Sequence, residues 1–256
     1  MAGKNTYRKP SSKPTPKIAK KVSVFSYIKK LLYRAIFYFL IITVGSVVVF
    51  KFVPIPFTWT MLDQKVDSLM DGEDSEIHYA WRSYDNVSRE MHLAVVAAED
   101  QLFPDHFGFD FKHMQIAYKN NLKGKKVRGA STISQQVAKN VFLWQERSYI
   151  RKALEVYFTF LIEIIWGKQR ILEVYVNVAE MGKNTFGAEA AAQRYFDKSA
   201  KNLSREQAAK LAAVLPSPRK WSVTKPGPYV SRRVPKITRQ MRALGGTAYI
   251  KDLRSF

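Results

Sequence analysis

Residues 35–50 read AIFYFLIITVGSVVVF, a run with no charged or amide side chain, bracketed by Arg34 and Lys51. A helix on the surface of a soluble domain keeps a polar stripe for water, and this run has none to offer. Sixteen residues fall short of the ~20 needed to cross a bilayer core. Residues 31–53 reach 23 if Arg34 and Lys51 stretch their charged ends to the head groups. The expectation is a transmembrane helix over 31–53. A cleaved signal would need a shorter apolar core followed by a small-x-small site. Here Gly45 and Ser46 are followed by more Val and Phe, so the helix should stay as an anchor.

Charge then orients it. Residues 1–51 hold eleven of the 42 Lys and Arg and none of the 21 acids, which leaves 31 bases against 21 acids beyond. The positive-inside rule keeps the basic tail, residues 1–30, in the cytoplasm and sends residues 54–256 across as one extracytoplasmic domain. The excess of cations on that domain, beside an anchor, suits lipid head groups or a polyanionic substrate rather than nucleic acid. Zero cysteines exclude disulfides and thiolate metal sites.

Beyond the anchor, Pro54 and Pro56 break the helix, and Phe57, Trp59 and Met61 suggest a short segment at the interface. The rest reads as mainly α. Ser88 can cap a helix through MHLAVVAAED, and Thr132 with Gln135 forms a capping box, as does Ser204 with Gln207. Ser148 opens a long apolar helix that Gly167 can close, and helices are expected over KQRILEVYVNVAE and GAEAAAQRYF. Sustained strand alternation and internal repeats are absent from the sequence.

Two carboxylates stand out. Glu99 follows the small apolar face Ala94 to Ala98, where poor solvation would raise its pKa towards that of a working base; an ordinary solvated acid at a helix end reads the same way. Glu155 lies in ALEVYFTFLIEIIW, apolar nearly all round, with Arg151 and Lys152 one turn earlier and Arg147 near the helix start. A buried ion pair would explain that placement as well as catalysis would. Between the two acids, a basic loop leads into a helix at Ser131 or Thr132, whose N-terminus is expected to suit a diphosphate. Gln136, Lys139 and Asn140 stand on one face of that helix, which would otherwise be a plain solvated stripe. His78, His92, His106 and His113 have no metal-ligand spacing, so protein-bound zinc is not expected.

Five separated segments, in order EDQLFPDHFGFD, GASTISQQVAKN, ERSYIRKALE, KQRILEVYVN and FGAEAAAQRYF, resemble the motifs of the membrane-bound peptidoglycan glycosyltransferases, in their monofunctional biosynthetic form. Ser134 and Val176 depart mildly from the family pattern, where Thr and Leu are frequent. The resemblance implies a lysozyme-like helical lobe with a smaller membrane-facing jaw over residues 104–127, and residence in a bacterial inner membrane. Phe107, Phe109, Phe111, Met114, Ile116 and Tyr118, interleaved with Lys112, Lys119, Lys123, Lys125 and Lys126, would suit a jaw that dips into lipid.

The implied reaction is polymerisation of lipid II into β-1,4-linked glycan strands with release of undecaprenyl diphosphate. Glu99 would be the general base, and Glu155 the second essential carboxylate, holding a divalent cation such as Mg²⁺ or Mn²⁺ or organising the cations around the diphosphate. Lys139, Arg147 and Arg151 match diphosphate-contacting positions. Ser131, Thr132, Gln135 and Gln136, with Asn140 beside them, match the substrate-binding segment. Partners would be lipid II, the nascent strand, the bilayer, and other cell-wall synthases or division proteins. Only residues 219–256 follow Pro218, with no KTG, so a cross-linking domain is not expected. The rivals are a membrane-anchored lytic glycosidase, which has no need of the cation cluster, and an inactive scaffold of the same machinery, against which both intact acids argue.

Overall fold

The computed structural model describes residues 24–122, 131–146 and 148–253. Residues 1–23 of the basic tail, the loop with Lys123, Lys125 and Lys126, and Arg147 lie outside the described residues. Two compact units are present, residues 1–43 and 44–256.

Helix α1, Val24–Phe52, is one continuous element of 29 residues, longer towards its N-terminus than the sequence pattern suggests. Phe25–Phe52 is long and apolar enough to cross a membrane, with a mean hydropathy of 2.2 over its richest stretch. The Thr43 hydroxyl, one of the polar groups in the run, donates to the Phe39 carbonyl one turn back at 2.7 Å, which satisfies it without water.

The second unit is mainly α. Helix α2 (Trp59–Met70) is capped by Thr58, and α3 (Arg89–Glu99) by Ser88. The chain continues through α4 (Phe111–Leu122), α5 (Ile133–Phe142), α6 (Tyr149–Ile165) and α7 (Gly167–Val178) to α8 (Ala188–Phe196), α9 (Arg205–Val214) and α10 (Pro228–Ala243). Both expected capping boxes form, at Thr132 with Gln135 and at Ser204 with Gln207. Gly167 takes the left-handed conformation, φ +75, that turns α6 into α7.

Helix α3 is the central element. Met91 to Ala97 are all buried, and α7, α9 and α10 pack around them. Ala208, Ala209, Ala212 and Ala213 of α9 are buried as well, small side chains that let the two helices approach closely. On the other side α5 packs on α6 and α7. There Ser134 and Lys168 both bond Glu163, at 2.5 and 2.7 Å, and the Lys168 ammonium lies 4.5 Å from the Phe103 ring centre. A charge taken out of water is costly unless paired, and this pair ties α5, α6 and α7 together.

The sequence pattern missed a small sheet, because its strands are too short to alternate. Strands β1 (His78–Tyr79), β2 (Glu180–Gly182) and β3 (Thr185–Phe186) stack in the order β1-β3-β2, the first pair parallel and the second antiparallel with a bulge. Gly187, φ +83, follows at a point where the Asn177 carbonyl occupies the space a Cβ would need. Met61 also departs from expectation: it is buried against the domain, while Phe57 and Trp59 stay exposed.

Candidate active site

The C-terminal turn of α3 delivers Glu99 to the edge of the core, half-buried. Gln136 on α5 donates to Glu99 Oε2 at 3.2 Å and accepts from the Tyr175 hydroxyl of α7 at 3.3 Å. Burial raises the Glu99 pKa; the Gln136 bond and the Arg233 charge oppose that rise, and Asp100 adds to it. Arg233 comes from α10 and also donates to the Ala98 carbonyl at 2.9 Å. Inspection of one turn of sequence finds no cation near Glu99; the fold brings one from 134 residues away.

Asp100 is buried and structural. Its Oδ2 accepts from the Ile133 N–H at 2.9 Å, and His106 Nε2 lies 3.0 Å from both of its oxygens. The start of α5, expected to suit a diphosphate, has part of its donor set already in use. The Ile133 N–H is taken by Asp100 and the Gln135 N–H by the Thr132 hydroxyl, so two of the donors at that helix end are held by the protein's own groups. Side chains supply further donors beside it.

Those side chains line a cleft of about 420 Å³ between α5 and α6. Ser131, Gln135, Gln136 and Lys139 come from one wall, Arg151, Lys152 and Glu155 from the other. Glu155 is buried; Arg151 bonds its Oε2 at 3.3 Å, and Lys152 bonds its Oε1. Three cations around one carboxylate leave the cleft electropositive. Thr132 is buried beneath it, its hydroxyl donating to the Gly108 carbonyl at 2.7 Å, and so acts through the backbone. Asn140 is half-buried on α5, on the same face as Gln136 one turn earlier, and is not among the lining residues. Arg147 lies outside the described residues.

One lining residue escaped the sequence reading, whereas Lys152 was already visible beside Glu155 as one of its cations. Gln145 gave no signal, yet its Oε1 accepts from Lys139 at 3.2 Å and its amide donates to Thr60 on α2 at 2.6 Å. Glu180, at the start of β2, adds a second carboxylate near Lys139; burial raises its pKa, while Arg219, bonded at 2.9 Å, and Lys139 pull it down.

The donor set does not fit a resident divalent cation. Both Glu155 oxygens already carry a cationic partner, and among the described residues no group of three carboxylate or imidazole side chains converges. Ser222 and Lys225 have the spacing of a serine acyl-transfer pair. Ser222 is exposed, however, and its hydroxyl is held by the Lys225 N–H at 3.0 Å, closing a turn rather than a site.

The sequence profile of the Transglycosylase family matches residues 65–242. Over 218 residues the chain is 52% identical to a biosynthetic peptidoglycan transglycosylase of Pseudomonas fluorescens strain SBW25, covering 85% of this chain and 91% of that one. A protein of the same name from Pasteurella multocida strain Pm70 is 50% identical over 87% of this chain and 91% of its own. Another, from Pseudomonas putida strain F1, is 49% identical over 91% and 98%.

Proposed function

The chain belongs to the transglycosylase family, and from that membership we propose that it extends peptidoglycan glycan strands from lipid II at the outer face of a bacterial inner membrane. Its enzyme class is peptidoglycan glycosyltransferase. The carrying observation is the cleft itself: Lys139, Arg151 and Lys152 converge beside Glu155, and Gln136 of the same lining holds Glu99. Glu99 accepts the proton of the acceptor sugar's 4-hydroxyl as that oxygen bonds the anomeric carbon of the growing strand. The bond from that carbon to the diphosphate oxygen breaks, and undecaprenyl diphosphate leaves with its electron pair. Attack opposite the leaving group inverts the centre and gives the β-1,4 link.

Charge develops on the diphosphate, so preorganised cations are what lowers the barrier there. Glu155 holds Arg151 and Lys152 in place, and Gln145 orients Lys139. A lytic glycosidase would need an acid for a sugar leaving group and gains nothing from this cluster. Anchoring through α1, with the tail in the cytoplasm, puts the cleft on the side where a lipid-linked substrate is presented.

Labelled lipid II incubated with the full-length chain should yield glycan strands and free undecaprenyl diphosphate. Soluble fragments released from preformed strands, with no polymer made, would favour the lytic reading. Lys139→Ala and Arg151→Ala should weaken binding of lipid II more than binding of diphosphate-free glycan fragments; equal losses would return the cluster to a purely structural role.

A further inference from the structure

Helix α2 is amphipathic in the inverted sense. The residues it buries against the domain are Met61, Gln64 and Ser68, two of them polar, and the Ser68 hydroxyl donates to Asn184 at 3.3 Å. The residues it leaves outside include Trp59, Leu62, Val66, Leu69 and Met70, exposed by 52, 39, 53, 59 and 82%. At about 100° per residue the buried positions cover an arc of roughly 60°, and the apolar exposed ones an arc of roughly 100° on nearly the opposite side. Asp63 and Lys65 border that outer stripe. A domain that needed α2 only as a cover would turn Leu62 and Val66 inward.

The stripe follows α1 closely along the chain. Residues 53–58 alone separate the two helices, with Phe57 exposed among them. This link is pinned: Arg170 donates to the carbonyls of Phe50 and Val53 at 2.7 and 2.6 Å, and Tyr79 to that of Ile55 at 2.5 Å. Where the span leaves the bilayer, the domain therefore fixes the start of α2.

We propose that α2 lies in the head-group boundary of the bilayer that α1 crosses, with Trp59, Leu62, Val66 and Leu69 against the acyl edge. The inference rests on reading α1 as a membrane span. Interfacial helices with an apolar face bind in this way, and continuity with the anchor selects lipid over a protein partner. The acidic turn that follows, Asp71 to Asp74, is repelled by an anionic head-group layer and tilts the Met70 end outward. The arrangement also serves the cleft. Thr60 on α2 holds Gln145, which holds Lys139, so an in-plane α2 keeps the cation cluster at the depth of a membrane-borne diphosphate.

The chain has no cysteine, so single Leu62→Cys, Val66→Cys, Leu69→Cys, Asp67→Cys and Ile41→Cys variants can each carry a polarity-sensitive fluorophore. The full-length protein would be placed in phosphatidylglycerol-containing nanodiscs and exposed to lipids bearing a nitroxide near the head group, or to aqueous iodide. Labels at 62 and 66 should be quenched by the nitroxide lipid several-fold more than the label at 67 and be shielded from iodide, with 69 intermediate. Iodide quenching at 62 and 66 as strong as at 67 would overturn the proposal, since α2 would then stand in water. Shielding from both quenchers would overturn it too, in favour of a second copy or another protein. Ile41 separates the premises: if its label is open to aqueous iodide the span reading falls and this one with it, whereas loss at α2 alone refutes only the interfacial helix.

Discussion

Replacing Glu99 by Gln removes a base while leaving its shape. Gln136 Nε2, now 3.2 Å from Glu99 Oε2, can donate equally well to an amide oxygen, so the site should keep its geometry. A positioned general base contributes about 10²–10⁴ in rate, or roughly 3–5 kcal/mol of barrier at 1.36 kcal/mol per decade. The surroundings push the loss to the upper end, because neither neighbour can substitute. Tyr175 is fully buried and its pKa lies well above the ordinary tyrosine value, and Asp100 is occupied by His106 and the Ile133 N–H. Glycan formation from labelled lipid II should therefore fall about 10⁴-fold.

The pH dependence carries the sign. The Glu99 pKa is raised from 4.5 by burial, so parental activity should fall as pH drops through that raised value, and the Gln variant's residual rate should lack this limb. Stability runs the other way. Because the folded pKa exceeds the unfolded one, ionised Glu99 destabilises the fold above the folded pKa, and this cost vanishes below the unfolded value. Glu99→Gln should melt higher than the parent at pH 8 and lose that advantage as pH falls towards 4.5. A folded variant polymerising within tenfold of the parent, or one keeping the acid limb, would refute Glu99 as the base.

Arg233→Met removes a charge that favours ionised Glu99, so the acid limb of activity should move to higher pH, as a rate–pH profile would report. Arg170→Met strips two carbonyls at the end of α1 and leaves Glu173 without its 2.6 Å partner. Breaking a partly buried pair should cost less than the roughly 3–5 kcal/mol of a fully buried one, and thermal unfolding of the full chain in detergent should show a lowered midpoint with lipid II binding intact. A reporter active only in the cytoplasm, fused after Phe256, should stay dark if the basic tail faces inward.

The sequence was explicit where a local rule was enough. The apolar run set α1, because no soluble helix can afford an all-round apolar surface, and the serine and threonine caps marked where α3, α5, α6 and α9 begin, because the cap and its N–H partner lie within three residues. The pairing of Glu155 with Arg151 and Lys152 was visible for the same reason, as one helical turn joins them. The small sheet, the cation beside Glu99 and the Gln145 bridge from Lys139 to Thr60 were not legible, since each depends on residues far apart in the chain. The inverted face of α2 belongs with these. Its alternation of apolar and polar side chains is written in the sequence, but which half faces the domain was decided only when Gln64 and Ser68 found their places inside. Local hydrogen bonds and solvation fix the elements; the long-range packing of α3, α5, α6 and α10 decides which charges meet, and with that the chemistry of the cleft.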